Sequence, residues 1–357
     1  MKKLAILGLG HIGRYVLDTL RPLVYDGWRF SKVDGFDISS GHDLSKDAVI
    51  HRILDQYDGV LVSTPYYLNK RIAAACHETR TDYFDLTESV EVTKYISELP
   101  VNGTRFVTQC GLAPGMVSII ANNMTRRFDQ VTDVKIRVGA LPKYASNHLG
   151  YYRTWNTEGL INEYIHPCPG LQDRKLVSLS PLADQENIQI DGKLFEAANT
   201  SGGLGSLAET LHARGVSNAN YKTLRYPGHW DHIRFLKDDL GLGANQYNFD
   251  TYVKLFNAHV PATTDDIVVI LISVTGYRNG ELVIDFYQKQ IEAAPALGHT
   301  AIQIATGSGV LSVLDSWAGQ KMIDLSGWLK QEDLDFHSIW NSQFNQCYQL
   351  ALNTRNS

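Results

Sequence analysis

Three glycines supply the first chemistry in this chain. Gly8, Gly10 and Gly13, in the run Gly8-Leu9-Gly10-His11-Ile12-Gly13, have the spacing of a turn that cradles a pyrophosphate. Gly8 permits the tight turn, Gly10 lets the backbone approach the phosphates, and Gly13 lets the following helix pack on the preceding strand. His11 and Ile12 complete the turn, where the positive end of a helix dipole faces the anion. Asp37 follows about 24 residues later, the usual place for a carboxylate that accepts hydrogen bonds from ribose hydroxyls. It would repel a 2′-phosphate, and no arginine follows in Ile38-Ser39-Ser40, so the pattern favours NAD over NADP. The plainer alternative for Asp37 is a turn residue at a strand end.

These residues need a strand before them and a helix after them. Lys3 to Leu7 is a short apolar run of the buried parallel type. The helix carries Ile12, Val16, Leu17 and Leu20 on one side, with Pro22 as its expected stop. Strands then alternate with helices: strand 33–38, helix 47–56, strand 59–63, helix 68–79, strand 83–86, helix 92–99 and strand 105–109. Such alternation predicts a doubly wound α/β fold, the Rossmann type, over residues 1–116. Ligands of these sheets sit beyond the carboxyl ends of the strands. Ser63-Thr64-Pro65, together with Ile38, therefore joins the candidate cofactor site. Asp85, Glu88, Cys110 and Gly111 lie past the ends of later strands.

A different pattern follows. A helix is expected over 116–128, an alternating strand over 134–138 and a helix over 157–165, then strands at 176–179, 266–275 and 282–290. Ser201 to Gly205 reads as a tight turn before a helix over 206–213. The sum is an α+β substrate domain over 117–293. The segment 294–357, with a helix over 302–317, is expected to return to the first domain.

Composition narrows the function classes. The 357 residues include 33 basic and 38 acidic side chains, a formal charge of -5. No basic excess points to nucleic acid or an anionic membrane. The longest strongly apolar run, Ile267 to Val274, is too short to span a bilayer. Cys76, Cys110, Cys168 and Cys347 lack the spacing of a zinc site or a disulfide framework, and His148, His166 and His232 lack metal-ligand spacing. The start at Met1 reads as a strand rather than a signal peptide, and the cytoplasm is the expected compartment.

Several segments carry a family resemblance. They are Gly8 to Gly13, Cys110-Gly111-Leu112-Ala113-Pro114-Gly115-Met116, Thr154 to Ile161, Thr200-Ser201-Gly202-Gly203-Leu204, and Lys222-Thr223-Leu224-Arg225-Tyr226-Pro227-Gly228-His229. They run in order across nearly the whole chain. In these the sequence resembles the saccharopine dehydrogenase-like superfamily, nearest its lysine 6-dehydrogenase and saccharopine reductase branch. The resemblance implies an NAD(P)-dependent enzyme acting on the C–N bond of an amino acid, and usually a homodimer, with the α+β domain serving for substrate and dimerisation. Oxidation of the lysine side-chain amine is the first expectation, and a saccharopine dehydrogenase or reductase the second. A nucleotide-binding redox sensor without catalysis is the third.

That chemistry sets requirements. The amine must lose a proton before its carbon releases a hydride, and a substrate carboxylate needs a cation. Arg225 is the expected carboxylate clamp, against the alternative of a surface ion pair. His229 is the expected proton carrier or substrate ligand, against a helix-capping or exposed histidine. Cys110 and Gly111 would lie beneath the nicotinamide without covalent attack, against a buried inert thiol. Asp85 and Glu88 would face the substrate ammonium, against acids that decorate a helix start. Tyr152 and Trp155 would line the substrate, against an ordinary amphipathic segment.

Overall fold

The apolar run at the start of the chain forms β1 (Lys2–Leu7), in which Leu4 to Leu7 have no exposed surface. The computed structural model describes residues 1–349. Then come α1 (His11–Tyr25), β2 (Phe30–Phe36), α2 (Asp47–Leu54), β3 (Gly59–Val62), α3 (Asn69–Thr79), β4 (Asp82–Asp85), α4 (Val90–Ser97) and β5 (Arg105–Val107). α1 continues through Pro22 to Tyr25, where a stop was expected. Pro22 is exposed near the helix end, so one missing backbone hydrogen bond is tolerated there. β2 stops at Phe36, and Ile38–Ser40 turn into a single 3₁₀ turn capped by Asp37.

A second compact unit, Ile120–Ile304, follows the first, which comprises Met1–Ile119 and the chain from Ala305 onward. The chain leaves the first unit within α5 (Met116–Thr125). The second unit holds β6 (Gln130–Pro142), α6 (Thr157–Ile165), β7 (Cys168–Gln172), β8 (Lys175–Leu179), β9 (Glu186–Ile190) and β10 (Lys193–Asn199). It continues with α7 (Leu207–Ala213), β11 (Asn218–Arg225), α8 (His229–Arg234), α9 (Gln246–His259), β12 (Asp266–Arg278) and β13 (Glu281–Glu292). Its sheet runs β13-β12-β6-β11-β10-β9, with β7 joined to β11 and β8 to β7. β11 is a central strand, although its sequence carries Lys222 and Arg225 at buried positions. Alternation alone does not reveal such a strand, because the groups that its lysine and arginine bond include ones distant in sequence, Asp184 and Glu186 for Lys222 and Tyr164 for Arg225.

The chain then returns through α10 (Ala301–Ala318), β14 (Gly327–Leu329) and α11 (Phe336–Trp340). β14 pairs in parallel with β5 and completes a six-stranded sheet in the order β14-β5-β4-β3-β1-β2. Every pairing in it is parallel, which defines an α/β Rossmann-type unit. Trp317 of α10 is buried and donates its indole N–H to Asp82 Oδ2 at 2.7 Å. β1 stands between β2 and β3, so successive crossovers leave in opposite directions there. That reversal opens a crevice at the carboxyl ends of β1 and β3, where Gly8 and Ser63 lie.

Candidate active site

In the first unit the glycine turn leads straight from β1 into α1. Gly8 has φ +89°, and a Cβ there would lie 2.5 Å from the Ser63 carbonyl oxygen. A Cβ on Gly13 would lie 2.0 Å from the Gly8 carbonyl oxygen, so α1 sits directly on the turn. Gly10 differs, since a Cβ there would meet nothing within 4 Å. Gly10 is also the N-cap of α1, and no side chain caps that end. The N-cap itself thus offers no side-chain acceptor, and a helix N-terminus of this kind suits an anion. The residues present fit a dinucleotide pyrophosphate.

Asp37 closes one side of this turn. Its Oδ2 accepts from the Leu9 N–H at 3.1 Å and its Oδ1 from the Ser39 N–H at 2.9 Å. These bonds, Ser39 first and then Leu9, hold the carboxyl below its ordinary pKa, with a smaller contribution from Arg14 on α1. Asp37 is therefore anionic at neutral pH. Arg14 is the cation that the sequence reading missed, since it precedes Asp37 by 23 positions instead of following it. Ile38 is 76% exposed beside Asp37. Ser63 donates its backbone N–H to the Leu7 carbonyl, and the Thr64 hydroxyl lies 3.4 Å from Asn69 Oδ1. Pro65 is exposed, and His11 is exposed at the start of α1, while Ile12 is half-buried. Substituting Asp37→Ser is expected to weaken NAD and to raise the NADP/NAD ratio of affinities by about tenfold, the scale of one charge-assisted hydrogen bond. Titration with each nucleotide checks this, and an unchanged ratio rejects the assignment.

Asp85 corrects an expectation. It is fully buried, and its carboxylate accepts from the Tyr83 hydroxyl at 2.7 Å, Asn69 Nδ2 at 3.2 Å, the Gln109 N–H at 3.0 Å and the Thr87 N–H at 3.1 Å. Burial still raises its pKa to about 6 against these bonds. Four donors occupy it, so it ties β4 to the loops after β4 and β5 and does not face a substrate ammonium. Glu88 lies half-buried in the β4–α4 loop. Cys110 is 1% exposed and accepts from Gln331 Nε2 at 3.3 Å, and its thiol donates to the Val107 carbonyl. Burial pushes that thiol far up, which leaves no thiolate at neutral pH. Gly111 makes an isolated bridge with Gly115, and its carbonyl oxygen lies 2.5 Å from where a Cβ on Gly309 would stand. Gln331 is separated from Cys110 by 221 positions, and no local pattern announces the pair.

In the second unit the end of β11 and the start of α8 build a polar cluster inside an apolar one. Arg225 is 1% exposed. Its Nε and Nη2 donate to the Tyr164 hydroxyl oxygen at 3.1 and 3.0 Å, and its Nη1 donates to the Leu224 carbonyl at 2.9 Å. Its guanidinium carbon lies 4.9 Å from the Tyr151 ring centre, 5.8 Å from Tyr164 and 5.9 Å from Trp230. No carboxylate of the described residues lies within ion-pairing distance of it.

His229 is fully buried, with Nδ1 2.9 Å from the Leu149 carbonyl and Nε2 3.2 Å from the Tyr164 hydroxyl. A carbonyl only accepts, so Nδ1 carries the proton. Burial, and then the Arg225 charge, hold the ring well below its ordinary pKa. His229 is therefore neutral, and Nε2 accepts from Tyr164, whose phenol burial keeps protonated. This corrects the expectation of a histidine titrating near neutrality.

The structure thus joins Arg225 and His229 through Tyr164, a residue the sequence reading passed over. Helical spacing placed Tyr164 on the buried face of α6, which was the available signal. Tyr152 bonds Ser146 Oγ through its hydroxyl at 2.8 Å. Trp155 packs at the margin of the cluster that contains Tyr164 and Trp230, and its ring covers Gly159. Neither makes a hydrogen bond or ring contact with Arg225 or His229. An apolar hollow of about 330 Å³ lies near Leu149, with His148, His232 and His259 among its lining. Among the described residues no group of His, Cys, Asp or Glu is arranged to hold a metal ion. No helix of theirs is long and apolar enough to cross a membrane.

A nucleotide cradle on a parallel sheet, followed by an α+β unit with a buried arginine, defines a Rossmann-type dehydrogenase fold. Residues 111–334 match the family model of the saccharopine dehydrogenase C-terminal domain, and the chain belongs to the saccharopine dehydrogenase-like superfamily. The structure resembles apo saccharopine dehydrogenase (L-Glu forming) from Saccharomyces cerevisiae, with TM-score 0.71 and 15% identity over 95% of this chain and 96% of that one. It also resembles an engineered D-amino acid dehydrogenase bound to NADP+, with TM-score 0.48 and 12% identity over 95% and 96%. A third likeness is to a C. glutamicum DAP dehydrogenase in complex with DAP, with TM-score 0.45 and 11% identity over 96% and 97%. At 15% identity the first of these likenesses describes the fold.

Proposed function

We propose that this protein is an NAD(P)-dependent oxidoreductase acting on the C–N bond of an amino acid, and that it oxidises the side-chain amine of lysine with NAD. The observation that carries the reading is Arg225, a buried cation without an ion-pair partner. A buried charge of this kind costs several kcal/mol unless a counter-ion joins it, on the order of the usual penalty for burying one ion. A substrate carboxylate supplies that counter-ion, and the guanidinium fork matches it. Tyr164 holds the fork from behind, and neutral His229 holds Tyr164.

A nicotinamide, when bound, supplies the hydride acceptor. The glycine turn and the uncapped start of α1 would hold its pyrophosphate, and Asp37 would accept from the ribose hydroxyls. Cys110 and Gly111 support this part of the site through backbone and packing, with no covalent step. The balance of the reaction is lysine, NAD+ and water giving the side-chain aldehyde, NADH, ammonium and one proton. Membership in the superfamily supports this class of chemistry, and the family resemblance extends it to a homodimer in the cytoplasm. Light scattering on the eluted peak tests the dimer.

The deciding assay follows absorbance of the reduced cofactor with NAD+ or NADP+ and either lysine or saccharopine. Reduction with lysine is the expected result. Reduction with saccharopine alone would replace lysine by the second reading. Tight nucleotide binding without turnover of either would favour the non-catalytic sensor.

A further inference from the structure

One buried carboxylate fastens three loops at the same end of the parallel sheet. Asp85 Oδ1 accepts from the Thr87 N–H, in the loop after β4, and from the Gln109 N–H, in the loop after β5. Its Oδ2 accepts from the side chain of Asn69, the first residue of α3, and from the Tyr83 hydroxyl within β4. Its backbone carbonyl accepts from the Cys110 N–H at 2.8 Å. Asn69 Oδ1 in turn faces the Thr64 hydroxyl, in the loop after β3, at 3.4 Å. Four donors fill the lone-pair positions of a carboxylate, so Asp85 keeps none for a ligand. Tyr83, Asn69, Thr87 and Gln109 are all buried, and each depends on this one acceptor. Gln109 also takes φ +64°, a left-handed conformation that costs a residue with a side chain. Such a residue persists where its surroundings hold it, and Asp85 holds its N–H.

The sheet order puts these loops on one side of the glycine turn. The strands run β5-β4-β3-β1-β2, and Asp37 follows β2. A dinucleotide with its pyrophosphate on the turn after β1 and its adenosine ribose at Asp37 sends its other half the opposite way, over the ends of β3 and β4. Neighbouring strands lie about 4.8 Å apart, so the ends of β3, β4 and β5 span about 10 Å, a width that a nicotinamide riboside covers. We infer that Asp85 is a positioning residue for the nicotinamide end of the dinucleotide: by tying Asn69, Thr87 and Gln109 together it sets the loops after β3, β4 and β5 as one bed, without touching the cofactor itself. This rests on the glycine turn as a dinucleotide site and goes beyond it. Asn69 and Tyr83 separate the role from plain packing. Each gives one hydrogen bond to Oδ2, but Tyr83 belongs to β4 itself, whereas Asn69 carries the link to the loop after β3.

The test titrates the full chain by calorimetry with NAD+ and with ADP-ribose, which lacks only the nicotinamide ring. The wild type is expected to bind NAD+ about tenfold or more tightly than ADP-ribose, the scale of one or two hydrogen bonds to the seated ring. Asp85→Asn keeps one oxygen for the two backbone N–H groups, while its amide nitrogen meets the Asn69 amide nitrogen, donor against donor. It should bring the two ligands within about threefold of each other and leave ADP-ribose nearly unchanged. Asn69→Ala should do the same, and Tyr83→Phe should keep the wild-type ratio. Both of these leave the carboxylate one donor short, so their Tm values should fall by similar amounts. They decide the matter if Asp85→Asn does not fold. A wild-type ratio in Asn69→Ala, a ratio lowered equally by Tyr83→Phe, or a wild type that binds both ligands alike overturns the inference and leaves the dinucleotide site standing. A wild type that binds neither ligand sinks the NAD site and the inference with it.

Discussion

Gly10→Ala is expected to weaken nucleotide binding by about 10- to 100-fold while leaving the fold at least as stable as before. The backbone at Gly10 has φ −69° and ψ −162°, which alanine adopts without strain. The added methyl meets no protein atom within 4 Å. A glycine-to-alanine change at such a position stabilises by about 0.4–1 kcal/mol, through the unfolded chain. The methyl would instead occupy the space that a pyrophosphate needs against the first-turn N–H groups. Losing one such charge-assisted bond costs about 1.5–3 kcal/mol, which is the stated fold-change. Gly13→Ala should behave in the opposite way. Its methyl would overlap the Gly8 carbonyl, so α1 must shift and Tm must fall. Nucleotide titration and thermal unfolding of both variants check the contrast. Unchanged affinity in Gly10→Ala would reduce the three glycines to a packing device.

The same contrast explains what could be read in advance. The glycine spacing, Asp37 and the apolar strands are local patterns, and the parallel sheet follows from them. β14 was not expected, because Gly327-Trp328-Leu329 is too short to announce a strand and is recruited by β5. In the second unit β6 spans 13 residues where alternation marked five, since antiparallel β12 and parallel β11 extend it on either side. β11 carries Lys222 and Arg225 inward, and its lysine is satisfied by the Asp184 carbonyl and Glu186 across the sheet. Arg225 and His229 were found through a family resemblance, while Tyr164 appears only once α6 is packed. Asp85 shows the converse error. Its place after a strand suggested chemistry, but its four donors make it the keystone of the surrounding loops.

Arg225→Ala is expected to raise the KM for the amino acid by roughly 100- to 1,000-fold while NAD affinity stays within a factor of two, because truncating one side of a buried charge pair costs about 2–5 kcal/mol. Thermal stability should move far less than this. The variant gives up contacts with Tyr151, Tyr164 and Trp230, but it also removes a buried cation that no described carboxylate pairs. Arg225→Lys separates charge from shape. Lysine has one terminal nitrogen in place of the fork, so it cannot bond Tyr164 through two nitrogens as Nε and Nη2 do, nor present two parallel N–H groups to a carboxylate. Its KM should therefore lie nearer to that of the alanine variant than to that of the wild type. A wild-type KM in Arg225→Lys would mean that charge alone suffices and that Tyr164 orients nothing. A wild-type KM in Arg225→Ala would make the cluster a structural one, with Tyr164 and His229 serving the packing of α6 against α8 and the substrate held elsewhere.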